Sequence, residues 1–108
     1  MRWILLGCLP IALGAGAAAL AQQPVRPLPK IGSCPIGYSS SNAYCVPNHS
    51  GQTRGALEKV GSSCPVGFYS SGNYCLSSPG SEREAIPKLG SSCPVGWYSS
   101  GRYCLHNR

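Results

Sequence analysis

The chain has no aspartate, and its only carboxylate side chains are Glu58, Glu82 and Glu84. A Ser-His-Asp triad is therefore excluded, and three glutamates in turn-rich segments do not make a paired-carboxylate acid–base site. His49 and His106 have no partner suggested by spacing. No Cys-x-x-Cys occurs, which excludes the thioredoxin-type redox motif. Ten residues separate the cysteines of each pair, whereas zinc sites use ligands two to four apart. These absences argue against an enzyme, a metal or a cofactor. Aliphatic residues are scarce as well. From Gln22 onward only 14 of 87 residues are Leu, Ile, Val or Phe, below the roughly 20% under which chains tend to stay disordered. A large core is ruled out, and small exported domains compensate with crosslinks.

The N-terminus does carry a long apolar run. One basic residue precedes Trp3 to Leu20, and Ala19-Leu20-Ala21 fits the small-residue pattern read by signal peptidase. Residues 1–21 are read as a signal peptide cleaved before Gln22, which predicts a secreted or periplasmic protein with no integral membrane span in its mature part. The alternative is a retained anchor, since the run is long enough to span a bilayer. Cleavage removes Cys8 and leaves six cysteines, an even number at regular spacing, the sign of a disulfide framework in an exported chain. The mature part has eight Lys or Arg against three Glu, a net charge of +5. Such a balance favours anionic surfaces and weakens with salt.

The same twelve residues are written three times. CPIGYSSSNAYC spans 34–45, CPVGFYSSGNYC 64–75 and CPVGWYSSGRYC 93–104. The lead-ins repeat too, as Lys30-Ile31-Gly32, Lys59-Val60-Gly61 and Lys88-Leu89-Gly90. One module used three times is the economical reading, and it favours the pairings Cys34–Cys45, Cys64–Cys75 and Cys93–Cys104. Closing each loop should stabilise by just under ~3 kcal/mol, against roughly 18 kcal/mol for ordering twelve residues. A disulfide restrains such a loop without folding it, so side chains must supply the rest.

The predicted fold class is small, disulfide-rich and all-β: three tandem disulfide-pinned β-hairpins. A three-residue Ser-Ser-Gly loop with positive φ at its end suits each turn, and Asn42 in place of Gly supports this, since Asn tolerates positive φ. That register sets Phe68 opposite Tyr74 and Trp97 opposite Tyr103, with Tyr38 opposite Tyr44. It requires the chain to bend through Cys64-Pro65-Val66-Gly67, and a shifted register with a longer loop is the alternative. The layout is a flexible Pro-rich start at 22–29, repeats at 30–46, 59–76 and 88–108, and linkers or surface loops at 47–58 and 77–87. Asn48-His49-Ser50 matches an N-glycosylation acceptor. Whether the modules pack together or hang like beads stays open at this stage.

Cys-Pro-x-Gly-x-Tyr-Ser, followed by Gly and a closing Cys, locally resembles cysteine-rich repeats of extracellular receptor-type proteins. There, short disulfide-pinned turns stack into rods. The resemblance covers about twelve residues per unit, and those repeats carry further cysteines between modules that this chain lacks. It transfers no functional residue.

Candidate binding residues are the aromatics Tyr38, Phe68, Tyr69, Trp97 and Tyr98 together with the cations Lys30, Lys59, Lys88 and Arg102. Rings on rigid strands can stack on sugars, and repetition adds avidity. The plainer alternatives are rings that cover the disulfides and lysines that are merely solvated. Adjacent strand residues point to opposite faces, so one of Phe68/Tyr69 and one of Trp97/Tyr98 should face outward. The expected function is a non-enzymatic binding or surface-interaction module for cell-envelope polysaccharide or another anionic surface, with no specific nucleic-acid binding. The alternatives are a secreted cationic antimicrobial or toxin-like effector and a purely structural envelope or matrix protein. The effector lacks a broad amphipathic helix with clustered Lys/Arg.

Overall fold

The computed structural model of the chain describes residues 22–48 and 51–107; the signal-peptide reading and His49 lie outside them. All regular structure among the described residues is β. The strands are β1 (Leu28–Pro29), β2 (Tyr38–Ser41), β3 (Tyr44–Pro47), β4 (Ala56–Glu58), β5 (Phe68–Ser71), β6 (Tyr74–Ser77), β7 (Ala85–Pro87), β8 (Trp97–Ser100) and β9 (Tyr103–His106). They form three antiparallel sheets, ordered β1-β3-β2, β4-β6-β5 and β7-β9-β8. The expected hairpins are present, and all three expected disulfides pin them, with Cα separations of 5.5, 5.7 and 5.7 Å.

Each hairpin gains a third strand from the segment before it. Ala56–Glu58 and Ala85–Pro87 end the stretches read as linkers, and Leu28–Pro29 ends the segment read as flexible. Strands of two or three residues are too short for alternation to show in the sequence. Pro29 and Pro87 fit there because these are edge strands, where a missing N–H costs no ladder bond on the open side.

The register differs from the expected one. Phe68 pairs with Ser77, Tyr69 with Leu76, Ser70 with Cys75 and Ser71 with Tyr74; the other two hairpins match. The connection is a two-residue loop (Asn42-Ala43, Gly72-Asn73, Gly101-Arg102) rather than a three-residue one. Its first residue carries the positive φ, at 56°, 62° and 61°. This is the twist a tight hairpin favours, so the reason for Asn or Gly holds although the loop is shorter. The bend before the strand also forms. Phe68 N–H donates to Pro65 O at 3.1 Å, with Gly67 at φ 88°. Gly at the third position of such a turn is what a type II geometry requires.

The core lies between repeats, not within them. Cross-strand partners share a face, so Tyr74, Leu76 and Ala56 line the front of the second sheet, while Cys75, Leu57 and Phe68 line its rear. One buried cluster joins Leu28, Tyr38 and Cys45 of repeat 1 to Ala56, Tyr74 and Leu76 of repeat 2. A second joins Leu57, Cys75 and Phe68 to Ala85, Tyr103 and Leu105 of repeat 3. The modules therefore stack face to face, each burying what its neighbour leaves open, as in a solenoid.

The closing tyrosine locks each junction. Tyr74 Oη accepts from Ile31 N–H at 2.7 Å and donates to Pro29 O at 2.7 Å. Tyr103 Oη repeats the first of these one module on, accepting from Val60 N–H at 2.6 Å, and donates instead to Ser63 O at 2.8 Å. The pairing expected between Phe68 and Tyr74 is replaced by this contact, because Phe68 and Tyr74 lie on opposite faces. Burying one tyrosine removes roughly 150–250 Å² from water, on the order of 4–6 kcal/mol gross at ~25 cal/mol per Å². A disulfide-closed loop needs a contribution of that size.

The N-terminal segment is tied down as well. Gln23 is buried, donating from Nε2 to Ala56 O at 3.3 Å and accepting at Oε1 from Ala85 N–H at 2.7 Å. The segment read as flexible thus bridges the edge strands of repeats 2 and 3.

Candidate binding surface at the sheet junctions

The two aromatics of each hairpin separate by face. Phe68 turns inward against Leu57, Ala85 and Leu105, while Tyr69, on the opposite face, is 39% exposed. In repeat 3 Trp97 is half-buried and meets the His106 ring edge-on at 4.6 Å, and Tyr98 is 41% exposed. The outward member of each pair is thus the tyrosine. In repeat 1 the equivalent position is Ser39, whose hydroxyl bonds the Asn48 side chain at 2.7 Å. Tyr38, the inward residue there, is buried and donates from Oη to Arg54 O at 2.8 Å. Burial raises its phenol pKa above the ordinary value.

Tyr98 stands at the rim of the junction between repeats 2 and 3. A cleft of about 380 Å³ opens there, lined by Tyr98, Arg83, Glu82, Ser81, Gly67 and Val66 among others. Its lining mixes Val66, Pro79 and Leu105 with backbone and serine, because the Ser78-Pro79-Gly80-Ser81 turn folds across the Gly67 bend. Ser78 N–H donates to Gly67 O at 2.8 Å, and Ser81 N–H closes the turn on Ser78 O at 3.0 Å. The Arg83 guanidinium lies 5.5 Å from the centre of the Tyr98 ring, within cation–π range. Its Nη1 also donates to His106 O at 3.0 Å, which fixes it beside the ring.

The cations singled out from sequence sit elsewhere. Lys30 is exposed and donates to Ser40 Oγ at 2.7 Å. Lys59 and Lys88 are half-buried just past the edge strands, their N–H groups bound to Asn73 O and Arg102 O at 2.9 Å. Arg102 is exposed in the third hairpin loop and lies along Gly61 of the preceding module, where an added Cβ would come within 3.3 Å of it. The cation beside a candidate ring is Arg83, which sequence reasoning missed. Its counterpart Arg54 donates to Ser77 O at 3.0 Å and Ser78 O at 2.9 Å. Both arginines lie five residues before the repeated lysine, a periodicity visible only if the repeat is extended upstream into the supposed linkers.

His106 bonds the Glu84 main chain through its own N–H, at 2.9 Å, and its ring packs on Trp97. Among the described residues no group of three or more His, Cys, Asp or Glu is placed to hold a metal, and no helix is long and apolar enough to cross a membrane. No family model, curated protein or solved structure matches the chain.

Proposed function

We propose that this is an exported, non-catalytic repeat protein that binds cell-envelope polysaccharide along the rims of its sheet junctions. The observation that carries the reading is Tyr98, half-open to solvent in a cleft of mixed lining with Arg83 held against its ring. Tyr69 holds the equivalent position one module earlier. A phenol face offers a stacking surface to a sugar ring, and its hydroxyl and the surrounding serines offer hydrogen bonds. Arg83 and the net positive charge favour glycans that carry carboxylates or phosphates. Two such rims on one stack bind a polymer with more avidity than either alone. Three intrachain disulfides agree with an oxidising compartment, and an envelope is one.

Trp97, the sole tryptophan beyond residue 21, lies on the opposite face from Tyr98 but packs on His106, whose carbonyl holds Arg83, and so reports on the site. Titration with a panel of acidic and neutral envelope glycans should shift its fluorescence for at least one acidic member. Tyr98→Ala should weaken that binding on the order of tenfold or more, and Tyr69→Ala should lower apparent affinity for long chains more than for short fragments. A silent tryptophan together with no glycan capture, or binding indifferent to both substitutions, would sink the proposal.

A further inference from the structure

The stack has two unlike open ends, and each is half of a junction already made twice inside the chain. At the front of repeat 1, Tyr44 is 54% exposed, whereas its counterparts Tyr74 and Tyr103 are 0% and 1% exposed. Val46 is half-buried where Leu76 and Leu105 are fully buried. At the rear of repeat 3 the pattern inverts. Pro94 is exposed where Pro35 and Pro65 are buried, and Ile86 is half-buried where Leu28 and Leu57 are buried. Leu89 and Val95 are 86% and 102% exposed. Among the described residues nothing covers either end. Solenoids that remain single copies carry polar terminal repeats; these ends repeat the interior residues instead.

We propose that copies of this chain associate head to tail, the front of repeat 1 seating on the rear of repeat 3 in the next copy. Tyr44 would insert as Tyr74 and Tyr103 do, its hydroxyl bonding the Leu89 main chain and resting on the Cys93–Cys104 disulfide. Ser41 supplies the second contact. Its counterparts Ser71 and Ser100 accept from the N–H groups of Ile36 and Val66, and the matching donor at the open end is Val95 N–H. Two positions depart from the internal junctions. Ala43 stands where Asn73 donates to Ile31 O, and Val25 stands where Arg54 and Arg83 tie down their own sheets. The contact is therefore weaker than an internal junction but has the same register. Because the two faces differ, it is heterologous and grows into an open filament or a closed ring. This inference does not depend on the glycan-binding reading, which uses the internal rims.

The test is the mass of the oxidised, exported protein against concentration, by light scattering or analytical ultracentrifugation. Association should rise with concentration. Tyr44→Ala on one end, and Leu89→Glu on the other, should each weaken it at least tenfold without lowering the melting temperature, since these side chains are open in the single copy. Mixing a front variant with a rear variant should restore dimers and nothing longer, because each retains one intact face. A single copy throughout the hundreds-of-micromolar range overturns the proposal. So does association that survives both classes of substitution, or a mixture that stays monomeric.

Discussion

The Tyr74 hydroxyl of repeat 2 lies 3.6 Å from the Cys45 sulfur of repeat 1, and Tyr103 stands 3.7 Å from Cys75 one module later. The disulfides of repeats 1 and 2 are thus each sealed by the tyrosine of the following unit. The covalent loop orders the lead-in that the phenol binds, and the phenol buries the sulfur that closes the loop. Neither suffices alone. Tyr74→Phe and Tyr103→Phe should each destabilise by about 1–3 kcal/mol, because the partner N–H and carbonyl lose their buried bond. The alanine variants should cost ~3–5 kcal/mol, as for other large aromatic truncations. Tyr44→Phe should change little, since among the described residues its hydroxyl meets no preceding unit within one copy. Urea unfolding of the three variants separates these cases.

This arrangement explains which parts of the fold are legible in the sequence. The disulfide pairs, the hairpins and the positive-φ turn residue repeat within twelve residues, so internal comparison exposes them. The register escapes because pairing Phe68 with Tyr74 assumes that aromatics met in one hairpin belong together, whereas Tyr74 finds its partners 43 and 45 residues upstream. Gln23 reaches Ala85 across 62 residues, and no local pattern announces that contact. At the candidate site, strand alternation alone separates the two rings of each pair, but that Tyr69 and Tyr98 are the outward ones depends on the register and the stacking. The cation does not. Lys30, Lys59 and Lys88 repeat conspicuously, but they follow the edge strand, while Arg83 lies five residues earlier in a segment whose three-residue strand gives no apolar period.

The N-terminal strap makes a steric prediction. An added Cβ at Gly55 would lie 2.1 Å from Gln23 O, a backbone atom that cannot swing aside. Gly55→Ala should therefore displace residues 22–27 and expose the Ala85 N–H. Gln23→Ala removes the same bond without a clash and should cost about 1–3 kcal/mol. Hydrogen exchange at Ala85 should accelerate in both variants. Unchanged protection there would show that the strap does not hold the second junction together.

The hairpin loops make a conformational one. Asn42 adopts φ 56° where Gly72 and Gly101 adopt 62° and 61°, and an added Cβ at Gly72 or Gly101 meets nothing within 4 Å. Backbone preference alone then decides what is accepted. Gly72→Asn should shift stability by only a few tenths of a kcal/mol, whereas Gly72→Val should cost on the order of 1–2 kcal/mol or more. Thermal melts of the two variants against the parent chain give the comparison, and equal losses would mean that packing governs the loop instead.

Alkaline pH should probe the first junction. The buried Tyr38 phenol has a raised pKa, so the folded chain holds its proton more tightly than the unfolded chain does. Below the unfolded value near 10, both states are protonated and the contribution is complete. As pH climbs past it, the unfolded state ionises first, and stability falls by up to about 1.4 kcal/mol per pH unit until the folded phenol also ionises. Ionisation would abolish the donation from Tyr38 Oη to Arg54 O and place a charge among Leu28, Cys45 and Leu76. Tyr38→Phe is a mild substitution, because Phe68 fills the same position in repeat 2. It should cost about 1 kcal/mol at neutral pH for the lost hydrogen bond, yet flatten part of the alkaline decline. Denaturant midpoints at pH 7, 9, 10 and 11 for the two chains provide the measurement. If the curves remain parallel to the highest pH, the phenol does not titrate on unfolding and the junction is held by packing alone.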